Sequence, residues 1–514
     1  MFEYLVAGGA LRLFQTIIYC SVWVVVGCFV AAIFRRMLGP EKVRKLFADD
    51  TRYGLLAGWL MGMLLPVCSL GVIPVVREMH RAKVRQGTII AFGLTAPLFN
   101  PMSVLYGLTL SDPIAILSFS FCALLIVSIL GYLWNQFPVE RSEEDSTDEL
   151  LPEVGIKRSL AVITTACKEL VGPSLVFLLI GIAASVLFSV FVPKGFLQNQ
   201  VERDNIVAPI SVAILGTPIY STPLLAMSQI GGMFQHGNSI GAGFSLLILG
   251  AGANLGLMVW FGWTFGFRRF ALFWLMLSSL TILLAYAVDK PLIPKGVEPA
   301  GHTHAFDVYT HPFGYGQTNL FQRAGRLMSD FWNANEFGGT SLLGAMIAIG
   351  VVVIVVETKD KVDLENWYTT KKETSELGRG FDVALPGWVL GSVAIAGVIA
   401  VSIVGCYLYY PAPKDLMPDF ELINTEVVLN SKNGKWDAAD KWIGYADDLS
   451  RRLEVGIFLR NGEVDEFVAA KARIYREELD TIKVMVDARD DASTGKQGIE
   501  LLNAFRRLKR SCEE

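Results

Sequence analysis

The sequence predicts an all-α polytopic membrane protein. Its membrane part reads as an inverted repeat, each half holding three spans and one re-entrant hairpin. Two additional spans and a C-terminal helical soluble domain follow. Three observations lead there: long uncharged runs, two apolar segments broken midway by Pro and Gly, and an uneven distribution of Lys and Arg between the loops.

The runs come first. Only 18% of the 514 residues are charged, against roughly a quarter in soluble domains, and the mean hydropathy is +0.44. Uncharged stretches near the roughly 20 residues that cross a bilayer place spans at about 14–34, 88–108, 113–134, 173–192, 240–264, 270–288, 341–357 and 385–409. The first run continues to Ile33 and ends in Arg35-Arg36 with no small-residue cleavage site, so it is expected to be a retained span rather than a signal peptide. A net charge of −4 gives no basis for a nucleic-acid partner. The seven cysteines are scattered without a CxxC pair, which excludes a disulfide scaffold and a zinc ribbon.

The two broken segments are 53–76, with Pro66, Cys68, Ser69, Gly71 and Pro74, and 206–231, with Gly216, Thr217, Pro218, Ser221, Thr222 and Pro223. Proline removes a backbone bond and clashes with the preceding turn. Each segment is therefore a kinked span or a hairpin that returns to its own side. The positive-inside rule separates the two. With hairpins and an outside N-terminus, the short loops hold 21 Lys and Arg inside against 7 outside; with full spans the split is 15 against 13. The hairpins win.

That topology repeats. The first membrane repeat covers 1–134 and the second 173–290, joined by an acidic cytoplasmic linker, 135–172. The first starts outside and the second inside, which makes them inverted. "GTIIAFGLTAPLFN" (Gly87–Asn100) aligns with "GAGFSLLILGAGAN" (Gly241–Asn254). An extracytoplasmic loop (291–340), two spans (341–410) and an extracytoplasmic domain (411–514) complete the chain. In the last, apolar residues recur at helical spacing over 434–461 and 463–490, with a shorter helix at 495–511, as in a small bundle.

Inverted repeats with broken helices are the build of secondary transporters. Backbone freed at membrane depth costs several kcal/mol per group unless it faces protein or a wet cavity. Hairpins entering from opposite faces would bring "PVCSLG" and "GTPIYSTP" together near the midplane. The expected substrate-binding residues are Cys68, Ser69, Gly71, Pro74, Pro97, Asn100, Thr217, Tyr220, Ser221, Pro223 and Asn254. The plainer alternative is that Pro and Gly kink two packed helices.

The block "PVCSLGVIPVVREMHRAKVRQGTIIAFGLTAPLFNP", with its weaker echo in the second half, resembles the DUF318, or ArsP-like, predicted permeases, the family that includes organoarsenical efflux permeases. The pattern is carried by Cys68, Ser69, Pro74, Gly87, Ala91, Phe92, Leu94, Pro97 and Asn100, and the resemblance covers roughly 10–290. It implies a multi-pass permease of the plasma (inner) membrane, with export of trivalent organoarsenicals in some members. Leu70 stands where the family has a second tip cysteine.

Other features remain open. No G-x-x-x-x-G-K-[ST] occurs, and no carboxylate lies inside a core span, so the coupling ion is not readable. His80 and His236 sit at the hairpin exits. The loop "GHTHAFDVYTHPF" gathers His302, His304, Asp307 and His311, types that hold a divalent metal, or that form a plain polar loop. The basic run Arg77, Arg81, Lys83, Arg85 either recruits an anionic substrate or anchors the hairpin at the anionic leaflet. No catalytic motif is present, and no resident cofactor is expected beyond that loop metal. The partners expected are a small-molecule substrate, the lipid bilayer, and a protein docking on 411–514. Two function classes stand: a permease that exports a small solute, and a membrane scaffold or sensor without transport.

Overall fold

The computed structural model describes residues 2–48, 51, 53–137, 156–294, 306–332, 334–359, 364 and 386–513. All regular elements among them are helical. Among the described residues five helices are long and apolar enough to cross a membrane, and up to seven if each bent pair counts as one span. The chain divides into two units: Met1–Ser103 with Leu117–Ser402, and Val104–Ile116 with Ile403–Glu514.

The first unit is organised along α1 (Phe2–Ile33). At 1.5 Å per residue this helix is about 48 Å long, well beyond the roughly 30 Å hydrocarbon layer. Its early residues are covered by a later part of the chain. Ala7 and Leu11 pack with Phe313, Leu320 and Ala324. The side chain of Glu3 accepts the Leu320 amide at 2.8 Å. That carboxylate caps the first turn of the helix Leu320–Phe331, whose own N-cap residue, Asn319, makes no side-chain bond. At its other end α1 passes through a π-helical turn (Phe34–Leu38) into α2 (Gly39–Leu46).

Then come α3 (Gly54–Leu64) and α4 (Val72–Arg81), separated by the non-helical stretch 65–68 and a turn at 69–71. Next are α5 (Gln86–Thr95), a break at 96–100, α6 (Pro101–Leu110) and α7 (Pro113–Trp134). The helix α8 (Ile156–Val171) leads into α9 (Leu175–Phe191) across a 48° bend. The pattern then recurs as α10 (Ala208–Gly216), a break, and α11 (Pro223–Gln235). It continues with α12 (Ile240–Ser245) and its π-helical extension to Gly252, then α13 (Leu255–Phe265) and α14 (Phe267–Asp289).

Three differences from the sequence reading appear. The spans expected at 88–108 and 240–264 are not straight: the first breaks before Asn100, and the second bends by 61° before Leu255. Pro97 and Gly252, both adjacent to the breaks, account for them. The stretch read as a polar linker contains α8, whose Lys168 pairs with Glu357 at 2.7 Å and whose Thr165 accepts from Arg36.

The two halves repeat in their contacts as well as in element order. The amide of Gly87 donates to Asn135 Oδ1 at 2.9 Å, and that of Gly241 donates to Asp289 Oδ1 at 2.7 Å. A side chain at Gly87 would strike the Gly131 carbonyl, and one at Gly241 would strike the Ala285 carbonyl. Every member of the second set lies 154 positions after its counterpart. So do Asn254 after Asn100 and Gly216 after Gly62.

The second unit holds a helical bundle: Pro413–Lys432, Trp436–Asn461, Glu466–Ala488 and Asp491–Glu513. Its core includes Phe420, Ile443, Leu453, Tyr475, Leu479 and Phe505. Within it Arg476 pairs with Glu454, both nearly inaccessible. Tyr475 donates to Asn424 at 2.8 Å.

Candidate solute site between the broken helices

The first tip, 65–71, leaves the helix because Pro66 and the small residues after it do not continue α3, and it turns at 69–71 into α4. Cys68 Sγ accepts the Gly71 amide at 3.3 Å and the Cys68 carbonyl accepts the Val72 amide, which starts α4. The tip lies on the middle of α1. The point a Gly71 side chain would occupy is 2.3 Å from the Trp23 carbonyl, and that of Gly27 is 1.8 Å from the Gly71 carbonyl. Both positions must be glycine for the backbones to meet. Trp23 and Gly27 fall midway between Arg12 and Arg35, which are about 34 Å apart along the helix.

The second tip follows Gly216. Thr222 caps α11 by accepting the Leu225 amide at 3.2 Å, with Pro223 at the first helical position. The Tyr220 amide donates to Ser185 on α9 at 3.1 Å. The Tyr220 hydroxyl lies near the Cys68 thiol, outside good hydrogen-bond geometry. Cys20, on α1, lies within electrostatic reach of both. The sequence reading missed Cys20, because nothing in an uninterrupted span marks which face meets the tip.

The other two breaks join the same place. Asn100 caps α6 by accepting the Ser103 amide at 2.8 Å, and Asn254 caps α13 by accepting the Gly256 amide at 2.9 Å. Leu70 Cδ2 and Asn254 Oδ1 converge on Gly181 of α9. Leu94 and Leu98 lie against Gly252. All these groups are buried, and Ser69 Oγ, Asn100 Nδ2 and Asn254 Nδ2 have no hydrogen-bond partner. Two capping oxygens are used, and two amide N–H₂ donors are left over. Pro74, Pro97, Ser221 and Pro223 are also buried, whereas Thr217 is only half-buried.

The two ends of α1 differ. Beyond Arg35 lies a cavity of about 1190 Å³. Arg35, Arg44, Arg77, Arg81 and Lys83 line it, with Glu78 as the carboxylate among the lining residues. Its apolar wall is made by Val176, Phe177, Ile180, Trp260 and Trp263. His80 stands in the same wall against Trp260 and Phe265. At the Arg12 end a strap, 306–313, packs on α10, α11 and the break between them. Phe306 and Tyr309 pack with Val212, Ile219 and Met233. The Tyr309 hydroxyl donates to Gln229 at 2.6 Å, and the His311 amide donates to the Val192 carbonyl at 2.8 Å. A space of about 20 Å³ remains there, bounded by Arg12, Tyr220 and Tyr309, enough for one water.

In the strap, Asp307 and His311 do not form a shared ligand set. The Asp307 carboxylate approaches Gln198 at 3.5 Å. The His311 ring stacks on Tyr4 at 3.5 Å, and its nitrogens meet the Phe313 and Tyr4 carbonyls. His302 and His304 lie outside the described residues. Among the described residues no group of three or more His, Cys, Asp or Glu is placed to hold a metal ion. At the hairpin exit, His236 Nδ1 meets the Gly232 carbonyl.

Apolar spans, paired breaks and buried polar groups at mid-span define a multi-pass membrane protein of the permease class. A family model described as ArsP_1, predicted permease, matches residues 7–290, and the chain belongs to that family. It is 29% identical over 80 residues to the UPF0718 protein YcgR of Bacillus subtilis, a match covering 16% of this chain and 27% of that protein. It has the same identity and coverage against a Streptococcus mutans protein named as a subunit of a two-component membrane permease complex. The chain thus spans about a quarter of the length of the curated relatives it matches. No solved structure matches.

Proposed function

We propose that the protein is a secondary-type permease of the inner membrane that exports a small solute through a site between the two hairpin tips. The observation that carries this reading is the set of buried, unpartnered donors, Ser69 Oγ, Asn100 Nδ2 and Asn254 Nδ2, at helix breaks beside the middle of α1. Unmet polar groups at that depth cost several kcal/mol, and a polar solute passing between the tips would offset the cost. The 154-residue repeat of contacts supports two halves of opposite orientation, with the N-terminus and the 411–514 domain extracytoplasmic. On that orientation the basic cavity opens to the cytoplasm, and the strap closes the outer side.

Cys68 and Cys20 favour a soft solute, and a trivalent organoarsenical is the first candidate. The naming of the Streptococcus mutans relative as a complex subunit supports a protein partner, and 411–514 is the proposed docking module. The test is accumulation of methylarsenite in a sensitive host lacking its own arsenic exporters, with Cys68→Ser alongside. Lowered accumulation that depends on Cys68 supports export and a thiol contact. Unchanged accumulation removes the arsenical.

A further inference from the structure

We infer that the small space at the Arg12 end of α1 is the outer vestibule of the solute path, the repeat-related counterpart of the large cavity at the Arg35 end, and that the strap holds it shut. The 154-residue offset extends to α1 and α9: Gly27 corresponds to Gly181, and Trp23 to Phe177. The point a Gly71 side chain would occupy is 2.3 Å from the Trp23 carbonyl, and that of Gly256 is 2.2 Å from the Phe177 carbonyl. Each of the two helices thus meets a break through the same backbone carbonyl. The same offset relates the two spaces. Phe34, Arg35 and Pro173 line the large cavity, and their counterparts Phe188, Ser189 and Tyr19 line the small space. Yet the first holds about 1190 Å³ and the second about 20 Å³.

What differs between the two ends is the strap. Val308 and Tyr309 line the small space and lie outside both repeats. Two more cavity residues, Val43 and Arg44, correspond to Leu197 and Gln198. Leu197 packs with Phe306, and Gln198 Nε2 approaches the Asp307 carboxylate at 3.5 Å. The counterparts of cavity residues therefore meet the strap or share its space. The strap also ties the halves together. Arg12 on α1 donates to its Thr310 and Asp307 carbonyls. Its Tyr309 hydroxyl donates to Gln229 on α11, and its His311 amide to the Val192 carbonyl at the end of α9. Alternating access moves one repeat against the other. Because α1 belongs to the first repeat, and α9 and α11 to the second, these bonds oppose the movement that opens the Arg12 end. The strap is thus a self-inhibitory brace that favours the form with the large cavity. The inference rests on the permease reading for the movement itself.

The test is cysteine labelling of the purified full chain in nanodiscs, where a polar maleimide reaches both faces and peptide mass spectrometry locates the adducts. Ser189→Cys reports on the small space, and Thr264→Cys on the large cavity. The strap is released by replacing 306–311 with a Gly-Ser segment of equal length. Tyr309→Ala, which leaves the rest of the strap in place, guards against misfolding of that replacement. With the native strap, Thr264→Cys should react and Ser189→Cys should be protected. Release should raise the Ser189→Cys rate about tenfold or more and lower the Thr264→Cys rate, as one population passes into the other. Ser189→Cys that reacts freely under the native strap, or stays protected in both released chains, overturns the inference. A rise at Ser189→Cys with Thr264→Cys unchanged makes the strap a surface cover and overturns it as well. Labelling needs no solute, so reciprocal rates without methylarsenite export would remove the arsenical alone. Export without reciprocal rates would keep the permease and remove the brace.

Discussion

The guanidinium of Arg12 donates to the Thr310 carbonyl through both Nε, at 3.0 Å, and Nη2, at 2.7 Å. The same Nη2 reaches the Asp307 carbonyl at 2.6 Å. A buried cation on α1 thereby holds a strap almost three hundred residues later in the chain. Hydrogen bonds to a charged group contribute about 1.5–3 kcal/mol each and are not additive. Arg12→Ala should therefore lower stability by about 2–4 kcal/mol, read as a fall in the thermal midpoint. It should also expose a cysteine placed at 308, which leaves Phe306 and Tyr309 in place, to a water-soluble thiol reagent. A strap that stays unreactive in that variant would show that the packing of Phe306 and Tyr309 holds it without Arg12.

His311 lies in that strap. Burial pushes its imidazole below the ordinary 6.5, its bonds to the Phe313 and Tyr4 carbonyls push it back up, and the nearby Arg12 charge lowers it again. The net direction is down, so the folded protein favours the neutral ring. The unfolded chain then binds the extra proton first as pH falls. The stabilisation is full above about pH 6.5 and is lost as pH drops from there through the folded-state value. Thermal midpoints between about pH 8 and pH 5 should fall in that window, and His311→Asn should flatten the fall. A curve unchanged by that substitution would assign the pH dependence elsewhere.

Asn100 and Asn254 each use the side-chain oxygen as a cap and leave the amide nitrogen unpartnered. Asparagine and aspartate cap about equally well, whereas alanine costs about 1 kcal/mol. Asn100→Asp and Asn254→Asp should thus keep the cap at the cost of a buried carboxyl, so folded yield is read alongside, while transport falls about tenfold or more through loss of the amide donor. Transport at the parental rate in both Asp variants would leave these amides a purely structural role.

Gly71 and Gly27 meet backbone to backbone, with no space for a methyl group at either position. Gly27→Ala should cost about 1–3 kcal/mol, the range for overpacking, and displace the Cys68 tip. Reduced folded yield and altered Cys68 reactivity are the readouts. Normal yield and reactivity would mean that α1 and the tip shift apart freely.

In the bundle, Glu454 and Arg476 form a buried pair. Removing one partner leaves a buried charge and costs about 3–5 kcal/mol, whereas replacing both with apolar residues is near neutral. Glu454→Leu alone should strip amide-exchange protection from 436–488, and Glu454→Leu with Arg476→Met should restore it. Loss of protection in the double variant as well would show that the pair is needed for more than its own charge balance.

The breaks were legible because proline and glycine mark them chemically. Pro66 and Pro218 lie where helices stop, and Pro223 where the next one starts. The alignment of Gly87–Asn100 with Gly241–Asn254 rested on few identities. The structure extends it to Asn135 and Asp289, two different side chains performing one cap. What conserves that relation is a hydrogen bond to a glycine amide, which unlike residues can make. The helix Pro413–Lys432 escaped notice because Pro413 and Pro418 look like stops, although the first occupies a position where proline is welcome. The cavity escaped because its walls come from α2, the exit of α4, the start of α9 and the end of α13, segments that no local pattern joins. His302 and His304 remain outside the described residues.

The stretch matched by the family model ends at residue 290, and the strap begins sixteen residues later. On the permease reading, the protein's stopper is therefore written in a different part of the gene from its carrier. Arg12 is a buried cation that the family-matched stretch extends toward it. On that same reading, mutations in the strap would retune leakiness while the tips keep their cargo, and a chain cut after 290 would retain the whole family signature yet behave as an uncorked vessel.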